Sequence, residues 1–163
     1  MLKAPIPADE NKRLEAVRKL KILNTAPEAR FDELTNTAIK RFNVAISTIT
    51  VIDEDREWYK SCQGTHSSSE LRDISFCGHA MFSADIFIVE NTLKDERFAD
   101  NPMVIGPPYV RFYAGVAIHE KESGQPIGVF CIKDTQPRTM SKEDIAFLVK
   151  LAGRAEDMLN GKI

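Results

Sequence analysis

Five side chains in the second half of the chain have the chemistry to hold a small molecule. Arg97 and Arg111 could each bind a carboxylate or phosphate through two parallel N–H groups. Asn101 could hydrogen-bond an amide or a purine edge, and Phe98 and Tyr113 could supply flat apolar walls. The structural alternative is that the arginines pair with nearby aspartates while the aromatic rings fill the core. We predict that this segment carries a ligand-binding site.

Two segments upstream supply further candidates. Ser75 precedes a short predicted helix, and Cys77 lies in its first turn, where the helix dipole lowers the pKa of a thiol. The alternative is a buried, unreactive Cys77, since free cysteine is among the most buried residue types. Trp58 and Lys60 share one face of a predicted strand and are expected to face the same cavity. The predicted ligand-binding residues are Trp58, Phe76, Cys77, Phe98, Asn101, Arg111 and Tyr113.

Three segments show the three-and-four spacing of an amphipathic helix. The first begins at Asp9, the second ends at Asn43, where a left-handed cap fits, and the third begins at Ser141 with Asp144 in a capping-box position. Their apolar stripes are Leu14, Val17, Leu20 and Leu23; Phe31, Leu34, Ala38 and Phe42; and Ile145, Leu148, Ala152, Ala155 and Leu159. The third stripe is spaced like a coiled-coil seam and predicts a homodimer contact, with packing on the chain's own sheet as the alternative.

Five segments rich in β-branched or aromatic residues predict strands. They are 44–52, 57–62, 86–90, 110–119 and 127–134. Short polar turns join two pairs of them, which predicts antiparallel hairpins. Residues 64–69 are predicted to form a loop, and Asn101 before Pro102 is predicted to close a short helix or turn. The pattern indicates an α+β fold of helices on an antiparallel sheet.

Composition excludes several classes of function. The 163 residues are 43% hydrophobic and carry a formal net charge of −2, so a basic surface for nucleic acid or for a membrane is not expected. The sequence contains no apolar run of the roughly 20 residues that span a bilayer. The three cysteines are widely spaced, which favours the reducing cytoplasm over a disulfide framework and gives no structural zinc pattern.

The run Asp95-Glu96-Arg97-Phe98-Ala99-Asp100-Asn101-Pro102, the Phe76-Cys77 pair and the strand Gly128–Asp134 resemble the GAF family of sensory domains, in its bacterial signalling branch. The resemblance covers nearly the whole chain. It implies one domain over 1–163, with an N-terminal helix in 1–24, a core in 25–139 and an exit helix in 140–163. It also implies a sheet of five or six strands, with terminal helices on one face and a ligand-capping segment on the other.

The function that the resemblance implies is non-catalytic sensing. A small molecule would bind beneath the capping segment, and the terminal helices would relay its presence to a kinase or cyclase output domain, in cis or in trans. The alternative is a GAF enzyme, free methionine-(R)-sulfoxide reductase, which would use the thiols of Cys62, Cys77 and Cys131. Haem ligation through one of the three histidines also stays open, so the cofactor is unknown.

Overall fold

The structure of the protein is a computed structural model that describes residues 1–161. It contains six strands that form one antiparallel sheet. The strands are β1 (Ile46–Ile52), β2 (Arg56–Gln63), β3 (Ser69–Leu71), β4 (Phe87–Val89), β5 (Phe112–His119) and β6 (Pro126–Asp134). Their order across the sheet is β3-β2-β1-β6-β5-β4, which places the long strands β1 and β6 at the centre.

Five α-helices flank this sheet in the part of the chain that the structure describes. They are α1 (Glu10–Lys19), α2 (Ala29–Phe42), α3 (Phe76–Ala80), α4 (Pro102–Ile105) and α5 (Lys142–Leu159). Asn43 ends α2 in the left-handed conformation (φ 52°), as predicted. Ser141 and Asp144 form the predicted capping box of α5. None of the helices within residues 1–161 has the length and apolar character needed to cross a bilayer.

The two faces of the sheet carry different cores, and we call them the inner and the outer face. On the inner face, α2 and α5 pack over a large apolar cluster that includes Phe31, Ile49 and Phe130. On the outer face, a second cluster lies beneath a layer that we call the cap, formed by residues 72–82 with α3 and residues 92–110 with α4. This arrangement confirms the predicted α+β fold and the sixth strand that the family resemblance implies.

Two local predictions differ from the structure. Residues 69–71, expected in or beside a loop, form the edge strand β3. The turn predicted before Asn101 and Pro102 is present at residues 96–100, and Pro102 in addition begins α4, because proline is favoured in the first turn, where its missing N–H has no partner to lose. The helix α1 ends at Lys19, so Leu20 and Leu23 pack against the inner cluster from the connection that follows it.

Most of the apolar stripe of α5 packs on the chain's own sheet. Leu148, Ala152, Ala155 and Leu159 are buried in the inner cluster, whereas Ile145 is half-buried and Val149 is exposed. Packing on the sheet is therefore observed for four of the five stripe residues, and a homodimer through α5 stays a prediction.

Candidate ligand-binding site

Three of the predicted site residues meet under the cap. Phe76 stacks on Phe98 with ring centroids 4.3 Å apart and on Tyr113 at 5.2 Å. All three side chains are fully buried. The rings therefore converge as predicted, but they fill the space between the cap and β5 with one another.

Cys77 joins this cluster through Tyr113. The Tyr113 hydroxyl donates a hydrogen bond of 3.1 Å to the Cys77 Sγ atom. Gly115 makes this contact possible, because a Cβ atom at that position would lie 2.5 Å from the Tyr113 hydroxyl oxygen. Because Gly115 has no side chain, the side chain of Tyr113, two residues earlier on β5, can extend toward the cap and reach Cys77.

The three thiols occupy different electrostatic environments. Burial raises the pKa of Cys77, which overrides the dipole of the short helix α3, and burial likewise raises the pKa of Cys62 to about 11. Burial also opposes ionisation of Cys131, but hydrogen bonds from Cys77 and Thr48 and the charge of Lys133 outweigh it and lower that pKa to about 7. Cys131 is nevertheless fully buried within the outer cluster.

The polar candidates on the cap have structural partners. The Asn101 side chain caps α4 by accepting from the Met103 N–H at 2.9 Å, and its amide donates to the Ile74 carbonyl oxygen. Arg111 donates to the carbonyl oxygen of Val104 at 2.8 Å. Arg97 forms a two-pronged ion pair with Asp95, as the structural alternative predicted. These contacts hold the cap together, and a ligand-binding role for Asn101 and Arg111 stays a prediction.

Trp58 lies on the other face of the sheet. Its side chain belongs to the inner cluster, opposite the cap, so it does not line the same space as Phe76, Cys77 and Tyr113. Lys60 also faces inward, where its ammonium binds the Glu28 carboxylate at 2.7 Å and lies 5.4 Å from the Phe31 ring centroid. The prediction that Trp58 and Lys60 share a face is confirmed, but that face is not the one beneath the cap.

The outer face carries a buried polar centre that the sequence prediction missed. Glu57 is fully buried, and its carboxylate accepts hydrogen bonds from the Tyr59 hydroxyl (2.7 Å) and the Ser75 hydroxyl (2.5 Å). Ser75 in turn caps α3 by accepting from the Gly78 N–H. Burial raises the pKa of Tyr59, so its hydroxyl keeps the proton that it donates. The sequence signal was the alternation of Glu57 and Tyr59 with the apolar Trp58.

A cavity of about 40 Å³ opens beside this centre. It lies between β1, β2 and β6 on one side and the cap and the 64–70 segment on the other. Its walls are Ile46, Thr48, Tyr59, Thr65, Ser67, Glu70, Met103, Pro108 and Lys133. Tyr59 therefore contacts both the cavity and the Glu57 carboxylate, which makes the polar centre part of the cavity wall.

The same centre is connected to the N-terminal helix. Arg72, three residues before Ser75, donates to both oxygens of Glu10 at 2.8 and 3.0 Å, and Glu10 is the first residue of α1. Arg13 binds the same carboxylate and donates to the carbonyl oxygen of Ile52 at the end of β1. Burial opposes the charge of Glu10, but the hydrogen bonds from Arg72 and Arg13 outweigh it and lower its pKa. The start of α1 is thereby fixed to the segment that leads into the cap.

The model of the GAF domain family matches residues 26–158. The chain belongs to the GAF family. A cyclic di-GMP phosphodiesterase of Pseudomonas aeruginosa is 33% identical over 153 residues, which cover 93% of this chain and 26% of that protein. The chain thus spans about a quarter of the relative that it matches.

Two solved structures have the same fold as this chain. The GAF domain of an Acinetobacter phosphoenolpyruvate-protein phosphotransferase superposes with a TM-score of 0.66 at 19% identity and covers 93% of this chain and 94% of that one. The free methionine-R-sulfoxide reductase of Neisseria meningitidis, solved with its substrate, also gives 0.66, at 14% identity, covering 99% and 96%. The same fold therefore occurs in a domain of a phosphotransferase and in a free methionine-R-sulfoxide reductase.

Proposed function

We propose that this GAF domain is a non-catalytic sensor that binds a small molecule on the outer face of its sheet and transmits occupancy to its N-terminal helix. The observation that carries the proposal is a continuous set of contacts from the cavity wall to α1. It passes from Tyr59 to Glu57, from Glu57 to Ser75, and from the adjoining Arg72 to Glu10. A ligand that moved Tyr59 or the cap would change the environment of the first turn of α1.

Transmission requires that the ligand has different affinities for two conformations. The cap is suited to this role, because α3 and α4 are short and their ends depend on the side chains of Ser75 and Asn101. The inner face, by contrast, is a large apolar cluster that can stay unchanged while the cap moves. The proposal assigns Phe76 and Cys77 of the cap to the mobile wall of the site and Tyr113 of β5 to the fixed wall.

The proposed absence of catalysis rests on the thiols. A thiolate that reduces a sulfoxide must reach its substrate, and a second thiol must then form a disulfide with it. Cys77 and Cys131 are close enough to share a hydrogen bond, but both are fully buried, and burial raises the pKa values of Cys62 and Cys77, so contact between a substrate and a reactive thiolate is not favoured. The alternative predicts that oxidation with free methionine sulfoxide removes two mass units from the chain, and intact-mass measurement tests it.

An attached or separate output domain is part of the proposal. The relative from Pseudomonas aeruginosa is named as a cyclic di-GMP phosphodiesterase, and this chain matches only 26% of its length. A sensor of this kind would change the activity of an output domain through movements of α1, α5 or both. A homodimer that includes the exposed Val149 of α5 would be one way to do so.

Hydrogen–deuterium exchange of the Tyr59→Phe variant tests the relay. The substitution keeps the ring and removes the hydroxyl that connects the cavity to Glu57. We expect amides in residues 10–19 to exchange at least threefold faster, because the buried Glu57 carboxylate loses a donor and Ser75 can shift. Tyr109→Phe, at a half-exposed tyrosine of the cap, is the matched control and should leave α1 unchanged.

The exchange pattern shows whether the cap and α1 are coupled. Faster exchange in the cap together with unchanged exchange in α1 would show that the two are not coupled, and the relay would be wrong. Native mass spectrometry of the freshly purified protein supplies the complementary test, since added mass that is lost on denaturation identifies a bound molecule.

A further inference from the structure

Lys133 is a charged residue buried at the centre of the outer face. It lies on β6, in register with Ile46 of β1 and Tyr113 of β5, and is only 3% exposed. A buried charge normally has a close partner. Within residues 1–161, however, the Lys133 ammonium makes no hydrogen bond or ion pair. It instead borders the 40 Å³ cavity.

The ammonium retains its charge in this position. Burial disfavours the charged form, but the Glu57 carboxylate and the neighbouring Cys131, Cys77 and Cys62 thiols together outweigh that effect and raise the pKa of Lys133. The side chain therefore presents three N–H donors at neutral pH. Glu57 supplies the compensating charge from a distance, and it does not accept any of these hydrogen bonds directly.

Most other hydroxyl groups of the cavity already have hydrogen-bond partners, and the Thr65 hydroxyl, which accepts from the Ser67 N–H, is available as a further donor. The Tyr59 hydroxyl donates to Glu57, and the Ser67 hydroxyl donates to the carbonyl oxygen of Ser69 at 2.7 Å. The Thr48 hydroxyl lies 2.6 Å from that of Thr50 and 3.0 Å from a cysteine sulfur. A group that enters the cavity therefore meets the donors of Lys133 and needs to be a hydrogen-bond acceptor.

Size and charge narrow the class of acceptor. A water-sized atom needs about 10–15 Å³ of such space, so 40 Å³ holds about three of them, the heavy atoms of one carboxylate group. Lys133 is the only cation among the described residues that line the cavity and Glu70 is an anion, so the site can compensate at most one negative charge, which disfavours dicarboxylates. Met103, Pro108 and Ile46 provide apolar surface for a short alkyl chain.

We propose that this cavity, the Lys133 site, binds the carboxylate of a short monocarboxylic acid such as acetate or propionate. The assignment rests on the proposed sensor function and identifies its ligand class. The carboxylate accepts charge-assisted hydrogen bonds from the ammonium, and the alkyl chain packs on the cap at Met103. The ligand thus contacts the sheet and the cap together.

An NMR titration of the ¹⁵N-labelled chain with sodium propionate tests the site. Sodium chloride keeps the ionic strength constant, because chloride lacks the two oxygen acceptors of a carboxylate. We expect saturable shifts of amides in β6 and in residues 64–70. Lys133→Met, which keeps the chain length and removes the charge, should weaken binding at least tenfold. Lys94→Met, at an exposed lysine of the cap, should leave it unchanged.

Propionamide provides a test that needs no variant, should Lys133→Met fail to fold. It has the shape of propionate without the charge and should bind at least tenfold more weakly to the wild-type chain. Equal binding of propionamide and propionate, non-saturable shifts, or full binding by a folded Lys133→Met would each overturn the carboxylate assignment.

Hydrogen–deuterium exchange rates of α1, measured on the same samples, test the carboxylate site and the relay to α1 separately. Binding of propionate that depends on Lys133 but leaves α1 exchange unchanged would support the carboxylate site and refute the relay. An absence of propionate binding, combined with faster α1 exchange in Tyr59→Phe, would refute the carboxylate site and support the relay.

Discussion

Replacement of Glu10 by glutamine should separate the N-terminal helix from the cap. Glu10 is the only carboxylate that pairs with Arg13 and Arg72 among residues 1–161, and their side chains are 0% and 3% exposed. In Glu10→Gln both guanidinium groups stay buried without a counter-charge. Removal of one partner from a buried ion pair costs about 3–5 kcal/mol, and we expect a loss at the lower end, because both arginines keep backbone carbonyl acceptors.

Thermal and chemical unfolding measure that loss. For a chain of this size, about 3 kcal/mol corresponds to a decrease in melting temperature of roughly 6–12 °C. The matched control is Glu33→Gln, at an exposed position of α2, which should change the free energy of unfolding by less than about 0.5 kcal/mol. Equal stabilities of Glu10→Gln and the control would refute the assignment of Glu10 as the connection between α1 and the cap.

The pH dependence of the same pair of proteins provides a second check. The pKa of Glu10 is lower in the folded chain than its usual 4.5, so its stabilising effect is present above the unfolded value. That effect is lost as the pH falls through the folded value. The stability difference between the wild type and Glu10→Gln should therefore be constant from pH 6 to 8 and shrink below about pH 4.5. A difference that persists unchanged at pH 3 would show that charge is not its origin.

Three further predictions concern the sheet and the outer face. Phe98→Ala should lower the free energy of unfolding, measured by urea denaturation, by about 3–5 kcal/mol, because it removes a buried ring from the stack. Phe82→Ala, at a partly exposed ring, should lower that free energy far less. Gly128→Ala should lower the melting temperature strongly, since the new Cβ would lie 2.0 Å from the Thr50 carbonyl oxygen; an unchanged melting temperature would contradict this close approach. The Cys62 thiol, with a pKa of about 11 against a usual 9.0, should react with iodoacetamide at pH 8 roughly a hundredfold more slowly in the native chain than in urea, and equal rates would contradict its burial.

The elements that depend on periodicity could be predicted from the sequence. The stripes of α2 and α5, the left-handed cap at Asn43 and the hairpin of β5 and β6 follow from residue spacing, and the structure confirms them. The edge strand β3 could not be predicted in this way, because three residues are too few to show alternation. Its existence depends on hydrogen bonds with β2, and so on tertiary structure.

The position of Trp58 illustrates what alternation leaves undetermined. A two-residue period shows that Trp58 and Lys60 share a face, but it does not show which face of the sheet is covered by helices and which by the cap. The β-bulge opposite Ile49 and Thr50 adds a further complication, since Ser61 also points inward and binds Asp32. Only the packed structure assigns each half of β2 to a face.

Lys133 shows the opposite case, in which the signal was present in the sequence. Val129, Cys131 and Lys133 alternate along β6 and must share a face, so a charge follows two apolar residues into the same core. Such a charge is costly unless something compensates for it, and local sequence cannot say whether the partner comes from β2, from the cap or from outside the chain. The structure places Glu57 at a distance and a carboxylate-sized cavity next to the ammonium. The Lys133 ammonium, which has no hydrogen-bond partner among residues 1–161, and the cavity beside it are the two observations from which the carboxylate site is proposed, and of these local sequence could have supplied only the buried charge.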